Sequence, residues 1–137
     1  MKVKKAGTIL VNAKTRKIGL IYRRNQNDYS FPKGHKEINE TLMECAIRET
    51  NEETKRNCII YYDKPIFKEH YFDSKKDEVY MYYYIAIDGG KSNNDSIDTH
   101  DLIWANIDDV YKTLSYDSLK NVWNEVKKIV LDILNRS

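Results

Sequence analysis

Apolar and polar positions along the chain follow two rhythms, and together they predict a mixed α/β fold. Thr8 to Val11 and Lys17 to Tyr22 are short β-prone runs on either side of the polar stretch Asn12 to Arg16, the pattern of a hairpin. Val79 to Ile87 is an unbroken apolar run containing four tyrosines, which predicts a strand covered on both faces. Cys58 to Tyr62 and Leu102 to Ala105 are further strand candidates. In Tyr116 to Leu134 the residues Leu119, Val122, Trp123, Val126, Ile129, Val130, Ile133 and Leu134 recur at helical spacing, with Ser115 placed as N-cap. Asn106 is placed to cap a short helix whose first turn carries Asp108 and Asp109, where the helix dipole favours acids.

A third helix is predicted over Thr41 to about Thr54, and its faces differ in character. Met43, Ala46, Ile47 and Thr50 form the stripe expected to face the core. Glu49, Glu52 and Glu53 share a neighbouring arc, and three carboxylates at such spacing repel one another unless something positive sits among them.

The chain has 137 residues, 41% hydrophobic and 32% charged, which fits one domain over residues 1–137 and excludes collagen-like and disordered classes. The net charge of +2 argues against an extended nucleic-acid partner. By position, however, residues 1–36 carry ten basic side chains and one acid, Asp28, whereas residues 37–137 carry 13 basic and 20 acidic ones. Cys45 and Cys58 show neither metal-ligand spacing nor a disulfide framework, so a reduced, cytoplasmic protein is expected. The longest apolar run is about half the length of a spanning helix, so no membrane segment is expected. Asp88 to Asp98 reads as a polar loop.

The basic and acidic blocks meet at Phe31-Pro32-Lys33-Gly34-His35-Lys36, read as a turn just before the acidic helix. A hard divalent cation takes carboxylate and carbonyl oxygens and commonly joins a protein to a phosphate chain. The acidic arc can supply such ligands and leave a carboxylate to take a proton from water. Arg48 can reach Glu52 one turn on or orient Glu49.

Gly34, then Glu40, then Arg48-Glu49 and Glu52-Glu53 at these spacings resemble the Nudix box, which covers Gly34 to Arg56. The resemblance extends loosely over nearly the whole chain and implies an α/β/α sandwich with a mixed β-sheet between helices. It implies the Gly34 carbonyl with Glu49, Glu52 and Glu53 around Mg²⁺, with Mn²⁺ as the alternative ion, and Glu49 as base oriented by Arg48. It also implies a helping acid from a late loop, where Asp98 matches best and Asp95 and Asp101 compete. The reaction expected is attack of water on a phosphorus of a nucleoside diphosphate linked to another group.

Pro32-Lys33-Gly34-His35 is similar to the start of the box in diadenosine tetraphosphate hydrolases, which implies Lys33 and His35 on the phosphate chain. That similarity also implies base stacking on Tyr71. Tyr80, Tyr82 and Tyr84 share one strand face and offer a second platform, of which Tyr82 is the candidate taken. Arg23 and Arg24 are placed to meet distal phosphates. The partner expected is a small nucleotide, favourably a dinucleoside polyphosphate, and the chain is expected to be a monomer or homodimer. Rival readings are an oxidised nucleoside triphosphate, an inositol pyrophosphate, an RNA 5′ end, or a non-catalytic binding module on the same fold. His70 and His100 are expected at the surface, and Cys45 is expected to fill space. Two positions depart from the box. Thr50 stands where an aliphatic residue is usual, and Lys55-Arg56 replace a Gly and an apolar residue, so the helix is expected to run on and end at Asn57.

Overall fold

The computed structural model describes residues 1–136. Its strands, β1 (Lys2–Asn12), β2 (Lys17–Arg23), β3 (Asp28–Ser30), β4 (Lys33–His35), β5 (Arg56–Ile60), β6 (Phe67–Phe72), β7 (Glu78–Lys91) and β8 (His100–Asn106), form one mixed sheet. Its backbone path is β3-β2-β1-β7-β5, with β4 on β1, β6 on β7 and β8 on β2. The long β1 and β7 run parallel at the centre, from Lys2 opposite Glu78 to Val11 opposite Ile87, and the other pairs are antiparallel. Helix α1 (Leu42–Thr54) packs on one face, and α2 (Val110–Thr113) and α3 (Asp117–Asn135) on the other. This is the expected α/β/α sandwich.

Strand alternation divides the core between the two faces. Ile9 and Val11 of β1 and Met81, Tyr83 and Ile85 of β7 join Trp123, Val126 and Val130 of α3 in the larger cluster. Ala6 and Tyr84 meet Cys45 and Ala46 of α1 in the smaller one, with Tyr82 packed against it. The buried positions of α3, Leu119, Val122, Trp123, Val126, Val130, Ile133 and Leu134, are seven of the eight its periodicity selects, and the eighth, Ile129, is half-buried against the same core.

Several local expectations are corrected. Ser115 does not cap α3: Tyr116 is the N-cap, and the Ser115 hydroxyl instead accepts the Tyr29 backbone N–H at 2.8 Å. Asn106 precedes a 3₁₀ turn, Ile107–Asp109, without a side-chain cap, and its amide donates to Asp109. The segment Lys33–His35 is a short strand rather than a turn. It lies so close to β1 that a Cβ on Gly7 would sit 2.2 Å from the Pro32 carbonyl oxygen, so only glycine admits it there. β7 continues through Gly89 and Gly90 to Lys91, which shortens the polar loop. Phe67–Phe72 was not foreseen as a strand because Lys68, Glu69 and His70 interrupt its apolar rhythm.

Helix α1 starts where expected, with a reciprocal capping box in which Thr41 accepts from the Glu44 N–H and Glu44 accepts from the Thr41 N–H. Its core stripe is rotated from the expected one: Cys45, Ala46, Thr50 and Thr54 are buried, while Met43 and Ile47 are half-buried. The buried Thr50 hydroxyl meets that of Thr8 at 2.7 Å, which accounts for a polar residue at that position. The helix ends at Thr54, and Lys55, not Asn57, takes the left-handed conformation, at φ 59°. Its ammonium offsets that strain by donating to the Glu52 carbonyl at 2.6 Å and the Ser96 hydroxyl at 3.0 Å.

Candidate active site

Arg48 organises the end of the site nearest the start of α1. Its Nε and Nη2 donate to the two oxygens of Glu40 at 2.9 and 2.8 Å, Nη1 donates to Glu52 at 3.0 and 2.9 Å, and Nη2 also donates to the His35 carbonyl at 2.9 Å. Nη1 stands 3.8 Å from Glu49 Oε1. One guanidinium therefore ties α1 to the β4 end and to the loop that follows it. The hydrogen bonds from Arg48 hold the Glu40 carboxyl down to about 2. Glu40 was legible only as a position in the box; here it is the residue that fixes Arg48.

Glu49 and Glu53 occupy the half-buried centre. A Cβ on Gly34 would lie 1.6 Å from Glu49 Oε2, so the close approach of β4 to this carboxylate demands glycine. Glu53 Oε1 accepts the Lys33 backbone N–H at 3.0 Å. Burial raises both carboxyls, Glu53 to about 8, with the charges of Glu49 and Asp98 adding to the effect at Glu53. Among the described residues no group of three or more His, Cys, Asp or Glu side chains is arranged to hold a metal ion as it stands. Glu52 is turned onto Arg48. The donor set nevertheless suits a hard cation: the Glu49 and Glu53 oxygens, their proton affinity raised by burial and by neighbouring carboxylates, stand beside a peptide carbonyl.

Of the loop acids, Asp98 is the one whose charge reaches Glu53; Asp101 is exposed and pairs with Arg24 at 3.3 Å. Asp98 is itself engaged, with Lys55 Nζ at 3.3 Å and with the His100 N–H at 2.9 Å. Arg24 donates to the Asp98 carbonyl at 2.6 Å, so it braces this loop rather than standing free for phosphate. His100 was expected at the surface, yet its half-buried ring places Nε2 3.4 Å from Glu53 Oε2. Its position two residues after Asp98, entering a strand beside β2, was the available signal. Cys45 is buried beneath the site with Sγ 3.6 Å from the Gly34 carbonyl oxygen, and burial pushes its thiol up to about 12, consistent with filling space.

On the α3 side of the sheet lies a cavity of about 350 Å³ lined by Arg23, Lys33, Glu69, Tyr71, Tyr83 and Leu119, among others. Burial, with Lys5 and Arg23 nearby, pushes the Lys33 ammonium down to about 8. Arg23 is less free than expected: Nε and Nη2 bind the two oxygens of buried Asp28 at 2.7 Å, and the Tyr116 hydroxyl donates to the same carboxylate at 2.6 Å. Tyr71 lines the cavity. Tyr82 points to the opposite face, packed with the α1 cluster, because its neighbour Tyr83 takes the cavity side. His35 is exposed at the end of β4, and its imidazole is pushed down by partial burial and by Lys5 and Lys33. The structure thus brings together Gly34, Arg48, Glu49, Glu52, Glu53, Lys33 and Asp98, and separates Tyr82 from Tyr71. Among the described residues no helix is long and apolar enough to cross a membrane.

Comparison with known proteins bears on this arrangement. The family model described as NUDIX domain matches residues 1–130. No curated protein matches the chain significantly. Among solved structures, a NUDIX hydrolase from Nitrosomonas europaea superposes with a TM-score of 0.78 at 15% identity, over 97% of this chain and 95% of that one. The Ap4A hydrolase of C. elegans gives 0.73 at 22% identity, over 95% and 99%. A MutT protein from Bacillus halodurans gives 0.70 at 20%, over 91% and 82%. At these identities the likenesses establish a shared fold.

Proposed function

The chain belongs to the NUDIX domain family; from that premise we propose that it is a hydrolase acting on phosphoanhydride bonds and that its substrate is a dinucleoside polyphosphate such as diadenosine tetraphosphate. The observation that carries this reading is the continuity of charge and cavity at Lys33. Its backbone N–H holds Glu53, while its side chain lines the cavity with Arg23 and Tyr71. Phosphates drawn to Lys33 therefore lie beside the carboxylates, and Tyr71 offers a ring face to a base; such stacking contributes roughly 1–3 kcal/mol in single-strand sites. The likeness to the C. elegans Ap4A hydrolase supports the same choice.

The Gly34 carbonyl with Glu49, Glu52 and Glu53 would hold divalent metal, Mg²⁺ by preference, with Glu52 turning away from Arg48 to do so. A bound ion supplies charge neutralisation at phosphate and a more acidic water. Glu49 takes the proton of the attacking water, and Arg48, 3.8 Å from its Oε1, orients it. Asp98 and His100 bear on Glu53 from the loop side, and Lys33 steadies the phosphate chain. His35, at the exposed end of β4, adds a polar contact to the same chain.

The test is a substrate panel compared by kcat/KM with Mg²⁺: diadenosine and diguanosine tetraphosphate, nucleoside triphosphates including oxidised ones, ADP-ribose and 5′-triphosphate RNA. A preference of about tenfold or more for the dinucleotide supports the reading. A triphosphate or RNA preferred instead replaces it with a nucleotide-cleansing or RNA-end activity on the same machinery.

A further inference from the structure

Glu69 has no part in the chemistry above, and its charge opposes phosphate. It lies on β6, whose residues Phe67, Glu69 and Tyr71 face the cavity side while Lys68, His70 and Phe72 are exposed. Across the sheet β4, β1, β7 and β6 are successive neighbours, with Lys33 in the row of Gly7, Tyr83 and Phe67 and Glu69 in the row of Met81, Lys5 and His35, so the two rise from strands separated by two others while their charges still act on each other. Gly7, between β4 and Tyr83 of β7, contributes no side chain to that span. The cavity thus has phosphate-attracting side chains on one wall and a carboxylate with aromatic neighbours on the other.

A half-buried carboxylate must find donors. Burial raises the Glu69 carboxyl, while the Tyr83 hydroxyl, donating to it, and the charge of Lys33 favour its ionised form. Because Glu69 lines the cavity, its remaining lone pairs would meet an occupant whose phosphates sit at Lys33. We propose that Glu69 is the base-reading acceptor of this cavity and makes guanine its preferred occupant. This rests on the reading of the cavity as the nucleoside site. Guanine presents two adjacent donors, N1–H and the 2-amino group, that match the two oxygens of one carboxylate. Adenine sets its single amino donor beside an acceptor nitrogen, and uracil flanks its N–H with two carbonyl oxygens, so each puts a lone pair against the carboxylate. Tyr71, two residues along β6 on the same face, is placed to cover the ring.

The experiment compares kcat/KM for diguanosine and diadenosine tetraphosphate in wild type and Glu69→Gln, with calorimetric Kd values for GMP, IMP and AMP on both proteins. Wild type should favour the guanine dinucleotide by roughly ten- to hundredfold, and should lose about tenfold in affinity from GMP to IMP, which lacks the 2-amino donor. Glu69→Gln, which presents one acceptor and one donor, should bring the guanine-to-adenine ratio to one or invert it, chiefly through KM. A wild-type ratio near one, or equal losses on both bases in the variant, overturns the assignment. Should neither dinucleotide be hydrolysed, the dinucleotide reading falls, while GMP, IMP and AMP affinities compared between wild type and Glu69→Gln still decide the role of Glu69, and a wild type that does not prefer GMP overturns it whether or not the variant folds.

Discussion

Gly34→Ala is the sharpest perturbation of the site, because it adds one carbon and leaves the Gly34 carbonyl in place. The new Cβ would lie 1.6 Å from Glu49 Oε2 and 2.2 Å from its Cδ, against an ordinary contact distance of 3.4 Å or more. The carboxylate must therefore move by roughly 2 Å, and misplacing a reacting group by about 1 Å can cost on the order of 100-fold. Overpacking of this kind typically costs about 1–3 kcal/mol, which in a domain of this size lowers Tm by roughly 3–12 °C. The expected outcome is a protein that still unfolds cooperatively, with kcat reduced at least about 100-fold and its Mg²⁺ requirement shifted to higher concentration. Gly89→Ala is the control, since its Cβ would meet its nearest atom, the Asn57 carbonyl oxygen, at 3.3 Å. A Gly34→Ala enzyme with kcat within about threefold of wild type would show that the position of Glu49 does not matter to turnover, and the site would have to be redrawn.

Two further outcomes follow from contacts outside the reaction itself. Thr50→Val or Thr8→Val alone strands the other buried hydroxyl and should cost about 1–3 kcal/mol in urea unfolding, whereas the double variant should recover most of it; additive losses would refute the pairing. Hydrogen bonds from Arg23 and Tyr116 hold the Asp28 carboxyl below its ordinary 3.8, so its contribution is present above that value and is lost as pH falls through the lower folded-state value. Asp28→Asn should therefore flatten the decline of Tm between about pH 5 and pH 2, and a decline as steep as in wild type would contradict the coupling.

The sequence was most legible where periodicity and fixed spacing coincide. The α3 stripe, the β1–β2 hairpin, the central β7 strand and the grouping of Gly34, Arg48, Glu49, Glu52 and Glu53 could all be read before any coordinates. Features set by long-range pairing could not. β6 hides behind three consecutive polar residues, and nothing local says that Glu69 faces a cavity while His70 faces outward until the register against β7 is known. The helix end was misplaced because Asn tolerates a left-handed conformation better than Lys does, yet distant Ser96 and Asp98 supply Lys55 with partners that outweigh that preference. Arg23 and Arg24 read as free cations from sequence, and only the fold shows them bound to Asp28 and to the Asp98–Asp101 segment.

The proposed reaction rests on the carboxylates of α1. The decisive measurement is steady-state hydrolysis of diadenosine tetraphosphate, with and without Mg²⁺, by wild type and by Glu53→Gln, with circular dichroism confirming that the variant is folded. Mg²⁺-dependent turnover by wild type and a loss of at least about 1,000-fold in folded Glu53→Gln are the predicted result. A folded variant that turns over the dinucleotide at a rate near that of wild type would contradict it.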